Sequence, residues 1–407
     1  MSSPDRSGPL TGLRVVEFAH IMAGPICGRM LADMGADVIK VEQVIGGDAT
    51  RHFRPPDIDG ESAAFMMLNR NKRGVALDLK SEKGLQAALR LIERTDVLIE
   101  NHRTGTMERL GLGYETLSEN NPGLIYCEIS GFGRTGPMAH LRGFDLTTQG
   151  YSGIMSVTGE GEGRPPVKCA PPITDITAGI LAAMGVLAAH IERLETGRGQ
   201  KIDTSLFEAG ITQTFWQAAM TLATGVSPGP LGSAHPMSAP YQAFETSDGW
   251  ITVGGSNQVN WLRLVEVVGL PELAEDPRFL QNADRIQNVE ALASILGDCF
   301  KTRPREEWLE LLEQGGVPAG PVASIGEMLT LPQTLARDMV VEVQHSQLGP
   351  VRTLGFPVKF SDTPASIDRG APLLGEHTPE VLAELDYTDE EIAELISSGV
   401  ATVSLPT

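Results

Sequence analysis

Cysteine is scarce in this chain, and its placement suits neither disulfides nor metal. The 407 residues include four, Cys27, Cys127, Cys169 and Cys299, and no two form a CxxC pair. That spacing argues against a disulfide framework or a zinc site, so no metal is expected and a reducing cytoplasm is the expected compartment. Positive charge is also short. Thirty-two Lys and Arg face 52 Asp and Glu, a formal net charge of −20, which argues against nucleic acid or an anionic membrane as partner. The longest apolar run, Ile176 to Ile191, contains His190 and is too short to span a bilayer. The opening Met-Ser-Ser-Pro-Asp-Arg-Ser-Gly lacks a charged n-region and an apolar h-region, so no signal peptide is expected. The turn Ala19-His-Ile-Met-Ala-Gly-Pro25 contains no GxGxxG, which leaves NAD or FAD without support.

With 41% hydrophobic residues, a large core is within reach. Strand patterns at Leu13–Phe18, Asp37–Glu42, Gly74–Leu79, Asp96–Glu100 and Leu124–Ser130 alternate with helical ones at Ala23–Met34 and Glu82–Glu93. That rhythm predicts an α/β fold: a Rossmann-like large domain with a parallel sheet, over residues 1–223. The Gly-, Pro- and Ser-rich stretch Thr224–Gly232 marks a linker. A smaller α+β domain is expected over 224–335. Residues 336–407, with an irregular proline-containing stretch at Leu348–Pro372, are expected to lead acidic helices back to the large domain.

One carboxylate stands out. Asp175 follows Pro171-Pro-Ile-Thr174 and opens the apolar run, which places it on the first turn of a helix. Unpaired N–H groups and the helix dipole there favour negative charge, so an ionised Asp175 is expected. Such a carboxylate either caps the helix or serves as a nucleophile toward an activated acyl group. Basic residues that form a candidate patch for a polyanionic ligand gather in the first third, among them Lys40, Arg51, Lys80, Arg103 and Arg109.

Several phrases decide between these readings. They include Ala23-Gly-Pro25, Gly35-Ala-Asp-Val-Ile-Lys-Val-Glu42, Asn69-Arg-Asn-Lys-Arg73, Asp96-Val-Leu-Ile-Glu-Asn101 and Ile129-Ser-Gly-Phe-Gly133, with Leu374-Gly-Glu-His-Thr378 near the end. In consistent order from about Leu10 to Val400, they resemble the class III CoA-transferases, the family of formyl-CoA transferase and carnitine CoA-transferase that also includes α-methylacyl-CoA racemase. The resemblance implies that Asp175 attacks the thioester of a donor acyl-CoA and forms an aspartyl-acyl mixed anhydride, and that a free carboxylic acid is the acceptor. Coenzyme A is then a substrate, and no permanently bound cofactor is implied. The resemblance also implies an interlocked, ring-shaped homodimer. By residue-to-residue carry-over, Ile21, Met22 and Ala23 border the pantetheine. Leu77 to Lys80 and Asn101, His102 and Arg103 line the nucleotide and arm, Arg109 faces phosphate, and Arg142 lies near CoA with Phe144.

Met22 stands where formyl-CoA transferases have a glutamine, which argues against formyl or oxalyl substrates. Gln43 replaces an arginine, so Lys40 or Arg51 is expected to hold the nucleotide instead. The family's glycine loop over the active site has its match in Val253-Gly-Gly-Ser-Asn257, where Gly254, Gly255 and Ser256 either offer N–H groups to an acyl oxygen or make a strand-to-helix turn. Racemisation needs a histidine base where Phe144 stands, and a phenyl ring takes no proton. A CoA-binding protein without catalysis is the other alternative, against which Asp175 argues. The phrase around His235 resembles members acting on dicarboxylic acyl groups such as succinyl or glutaryl, with His235 either near the distal carboxylate or a structural loop residue.

Overall fold

The computed structural model describes residues 8–404, and the described chain divides into two units. The larger is made of the residues up to Ile154, Cys169–Thr214 and the chain from Pro332; the smaller joins Met155–Lys168 to Phe215–Leu331. Residues 155–168 therefore leave the large unit and return to it before the helix that carries Asp175.

The large unit is built on a seven-stranded sheet. Its strands are β1 (Arg14–Glu17), β2 (Asp37–Glu42), β3 (Lys72–Leu77), β4 (Val97–Glu100), β5 (Ile125–Ser130), β6 (Lys201–Ser205) and the short β7 (Ala401–Thr402). They lie in the order β7-β3-β2-β1-β4-β5-β6. All neighbours are parallel except β7, which pairs antiparallel with β3. The chain steps from β1 out to β3, then returns to β4 on the other side of β1. This makes the gap between β1 and β4 the topological switch point, outside whose carboxyl ends an open α/β sheet places its ligand crevice.

Helices cover both faces. On one face, helix α1 (Ala23–Asp33) and helix α4 (Ile173–Thr196) pack Ala23, Cys27 and Leu31 with Ala178, Ala182, Val186 and Ala189 against β1, β4 and β5. On the other, helix α2 (Glu82–Glu93) shares a core with Val381, Leu382, Ile392 and Leu395 of the last two helices. Helix α3 (Asp145–Tyr151) lies ahead of α4 in the chain. Residues 349–354, expected to be irregular, instead pair as a strand with Val340–His345. Proline at position 350 is tolerated because this hairpin has no third strand to receive its missing N–H.

The sequence predicts a segment too short to cross a bilayer, but α4 runs for 24 residues and is the one described helix long and apolar enough to do so by length and composition. Its small residues have a packing purpose. A Cβ on Gly179 would lie 2.6 Å from the Ala23 carbonyl oxygen and 2.7 Å from Ile26 Cγ2, so α4 and α1 approach as closely as glycine allows.

The small unit has a three-stranded antiparallel sheet of Tyr241–Glu245, Trp250–Gly254 and Ala319–Pro321. Its core gathers Trp261, Phe279, Phe300 and Trp308.

Gly179→Ala should destabilise the protein by about 1–3 kcal/mol, since the helix must shift to admit the methyl group. Gly297→Ala, whose Cβ would meet nothing within 4 Å, should be neutral or slightly stabilising. Thermal denaturation of the two variants checks the contrast.

Candidate active site

Asp175 lies on the first turn of α4, one turn before the glycine that touches α1. Pro172 precedes the helix and gives it no side-chain cap. The capping group comes from elsewhere. Asp145, at the start of α3, accepts the Thr174 N–H at 3.0 Å and the Thr174 hydroxyl at 2.8 Å through Oδ1, and Gln149 Nε2 at 2.8 Å through Oδ2. Thr148 Oγ1 meets Thr174 Oγ1 at 2.9 Å, fixing that segment further. The Asp175 carboxylate itself accepts no side-chain hydrogen bond from the described residues.

Sequence reasoning expected an ionised Asp175. The structure corrects this: burial first, and the Asp145 charge second, push its carboxyl up to about 7. The helix terminus favours the anion, but displacement of water and a second carboxylate outweigh it. Near neutral pH the acid and the anion are therefore both accessible to Asp175. Such a group is poised to accept or release an acyl substituent without requiring an extreme pH. Asp145 was not predicted, because the sequence around it is marked only by the missing base at Phe144. The signal was there, in a carboxylate one residue on from the missing base.

At the switch point the structure gathers the residues after β1 and β4. Asn101 Oδ1 accepts the His20 N–H at 2.9 Å, and its Nδ2 donates to the His20 carbonyl at 2.7 Å. Asn101 thus clips the two loops together. The His20 and His102 rings meet with centroids 5.1 Å apart. Burial drives His102 down to about 4, assisted by repulsion from His20, so both rings stay neutral near pH 7. Ile21 and Met22 are half-buried and Ala23 is buried, where α1 begins. Arg103 and Arg109 are exposed, and Arg109 Nη2 donates to Thr106 Oγ1 at 3.0 Å. Arg134, not singled out in the sequence, holds this loop from below. It donates to the His102 carbonyl at 3.0 Å and pairs with Glu100, whose carboxyl burial pushes up to about 7.

Other expected binding residues are otherwise engaged. Lys40 is fully buried, and its three donors go to Asp48 at 2.9 Å, Glu17 at 3.1 Å and the Ala19 carbonyl at 2.8 Å. Arg51 is committed to Glu42 at 2.9 and 2.7 Å and to the Pro372 carbonyl. Neither can hold a nucleotide phosphate, because desolvating these cations demanded internal partners. Leu77 belongs to the core beneath α2 rather than to a ligand surface. Lys80, Arg142 and Phe144 are exposed, with Phe144 63% accessible.

In the small unit, Gly254 N–H donates to the Pro318 carbonyl and Gly255 N–H to the Pro240 carbonyl. A Cβ on Gly255 would lie 2.7 Å from Leu264, and Ser256 gives its carbonyl to Arg285. The two glycine N–H groups are thus consumed within the unit. The strand-to-helix turn is the reading that fits, with Asn257 capping the next helix. His235 lies in the loop before the Tyr241–Glu245 strand. Its ring packs edge-on with Tyr241 and Trp216, and Nδ1 accepts the Met237 N–H at 3.1 Å.

Asp145→Asn keeps the acceptor for Thr174 but removes the charge facing Asp175. The Asp175 midpoint should fall from about 7 while staying above an ordinary carboxylate, since burial remains. Carboxyl-carbon NMR titration of labelled aspartate checks this, and an unmoved midpoint would show that Asp145 does not act on Asp175.

Comparison with known proteins agrees with this arrangement. The model of CoA-transferase family III matches residues 10–378. A succinate–glutarate CoA-transferase of Agrobacterium fabrum is 40% identical, over 94% of this chain and 97% of its own. The succinyl-CoA:glutarate CoA-transferase of Homo sapiens is 36% identical, over 96% and 90%. A crystal structure of a CaiB/BaiF family protein from Brucella suis superposes with a TM-score of 0.84 at 41% identity, covering 94% of this chain and all of that one. The chain accordingly belongs to CoA-transferase family III, as an enzyme that transfers CoA.

Proposed function

We propose that this enzyme moves CoA between dicarboxylic acids of the succinate and glutarate class, with Asp175 as the nucleophile. The observation that carries the assignment is the Asp175 carboxylate itself. It has no protein hydrogen-bond partner among the described residues, sits half-buried on the first turn of α4, and belongs to a helix packed on α1 beside the switch point. The names of the relatives support the dicarboxylic class.

In the first step, ionised Asp175 attacks the thioester carbonyl carbon; the C–S bond breaks and CoA leaves as thiolate. The acceptor carboxylate then attacks the aspartyl carbonyl of the anhydride and expels the donor acid. CoA thiolate attacks the new acyl carbon, forming the product thioester and releasing the Asp175 carboxylate. Anhydride and thioester have similar acyl-transfer energies, so no step runs far uphill provided water is kept out. Because the anion is the attacking form, kcat/KM should rise with pH and level off above about 7.

We further propose a homodimer. Helix Phe215–Thr224 buries no residue, leaving Phe215 74% and Leu222 88% exposed, and α4 leaves Met184, Ile191 and Leu194 open on its outer face. Exposed apolar area of this extent marks an interaction surface.

Asp175→Ala should lower transfer from succinyl-CoA to glutarate by about a thousand-fold or more, with the fold intact. HPLC of acyl-CoA products reads this, and a variant keeping a tenth of wild-type turnover would remove Asp175 from the chemistry. Valerate, which lacks the second carboxylate, should be a much poorer acceptor than glutarate. Light scattering should give about twice the 43.5 kDa chain mass, and a folded, active monomer would refute the dimer.

A further inference from the structure

Ile21 holds a backbone conformation that its side chain disfavours. Its φ of 67° is left-handed, a region where a β-branched residue is an outlier that only its surroundings can maintain. The surroundings are specific. Both Asp48 carboxylate oxygens lie 3.2 Å from the Ile21 amide nitrogen. Asp48 is itself fixed by Lys40 Nζ at 2.9 Å, the Thr50 N–H at 2.9 Å and the Thr50 hydroxyl at 2.8 Å. Its own N–H goes to Glu42 Oε1 at 2.8 Å, the carboxylate that Arg51 grips. At 4% exposure Asp48 is not a ligand-facing group. Asn101 holds the neighbouring His20 backbone from the β4 side, so the segment His20–Met22 is clamped from both flanks of β1. Met22, the next residue, starts α1 with no side-chain cap, so the entry angle of the helix depends on this clamp.

We propose that Asp48 is a positioning residue for CoA transfer, holding the Ile21 amide in its left-handed turn so that Ile21, Met22 and the start of α1 present the shape that receives the acyl-CoA arm. The inference rests on the reading of the β1–β4 crevice as the acyl-CoA site. Lys40 and Thr50 act through Asp48, and Asp48 acts through Ile21.

Asp48→Asn removes the charge that receives the Ile21 amide. The preference of an L-residue against the left-handed region corresponds to about a five- to thirty-fold population change. The variant should therefore lose about five- to thirty-fold in kcat/KM for succinyl-CoA. Ile21→Gly adopts the turn without help. On that background Asp48→Asn should change kcat/KM by less than about twofold. On Ile21→Ala, which loses the aliphatic contact but keeps the strain, the full loss should return. An equal loss on all three backgrounds, or no loss on the wild-type background, overturns the proposal. Should Asp48→Asn not give a folded protein by circular dichroism, Asp48→Glu keeps the charge beside Lys40 while displacing the acceptor, and the same comparison decides. If Ile21→Ala and Ile21→Gly both leave KM for succinyl-CoA unchanged, the crevice reading falls and the role of Asp48 with it.

Discussion

Everything at the switch point rests on charge buried beneath it. Glu17 at the end of β1 is fully enclosed and faces two equally buried lysines, Lys40 at 3.1 Å and Lys72 at 2.8 Å. Burial opposes each lysine charge, yet the outcomes differ. Asp48 and Glu17 together hold Lys40 well above the usual lysine range, whereas Lys72, dependent mainly on Glu17, is lowered to about 8. Removing one member would strand an uncompensated ion, a loss of about 3–5 kcal/mol for buried pairs. The floor under the crevice is therefore stiff, and the loops after β1 and β4 inherit that stiffness.

Asp175 works under the opposite arrangement. Among the described residues no cation offsets its charge, and Asp145 adds a like charge nearby. The same α4 terminus that invites an anion thus has its N–H groups partly served by Asp145, through Thr174. One carboxylate caps the helix, and the other has no side-chain hydrogen-bond partner among the described residues. Sequence reasoning set capping and nucleophilic attack against each other for Asp175; the structure gives the cap to Asp145.

The sheet was readable because parallel strands buried on both faces write themselves as short runs of Val, Ile and Leu between helical periods. β2 and α2 fall on the expected residues, and the other early strands differ by a residue or two at their ends. What could not be read was the fate of individual cations. Lys40 and Arg51 look like phosphate ligands in a string of letters, and only long-range pairing shows that Asp48, Glu17 and Glu42 have claimed them. The glycines at 254 and 255 mislead in the same way, because a residue that admits a ligand also admits Leu264. Residues 155–168 went unrecognised as part of the small unit, having no periodic pattern to announce their destination.

The edge strand β7 has a consequence for how the protein comes into being. β3 is complete early in synthesis, but Ala401 and Thr402, which pair with its Leu77 and Ala76, come far later in the chain. At typical translation speeds the intervening chain takes on the order of tens of seconds to appear. Throughout that time β3 offers an unpaired backbone edge to any neighbouring chain. Thr378 adds to the same closure, its hydroxyl accepting the Ala76 N–H at 3.1 Å and donating to the Thr402 carbonyl at 2.9 Å. A chain lacking residues 401 and 402 would leave this edge of β3 open to pairing with another chain, so the closure of the large unit depends on segments far apart in the sequence.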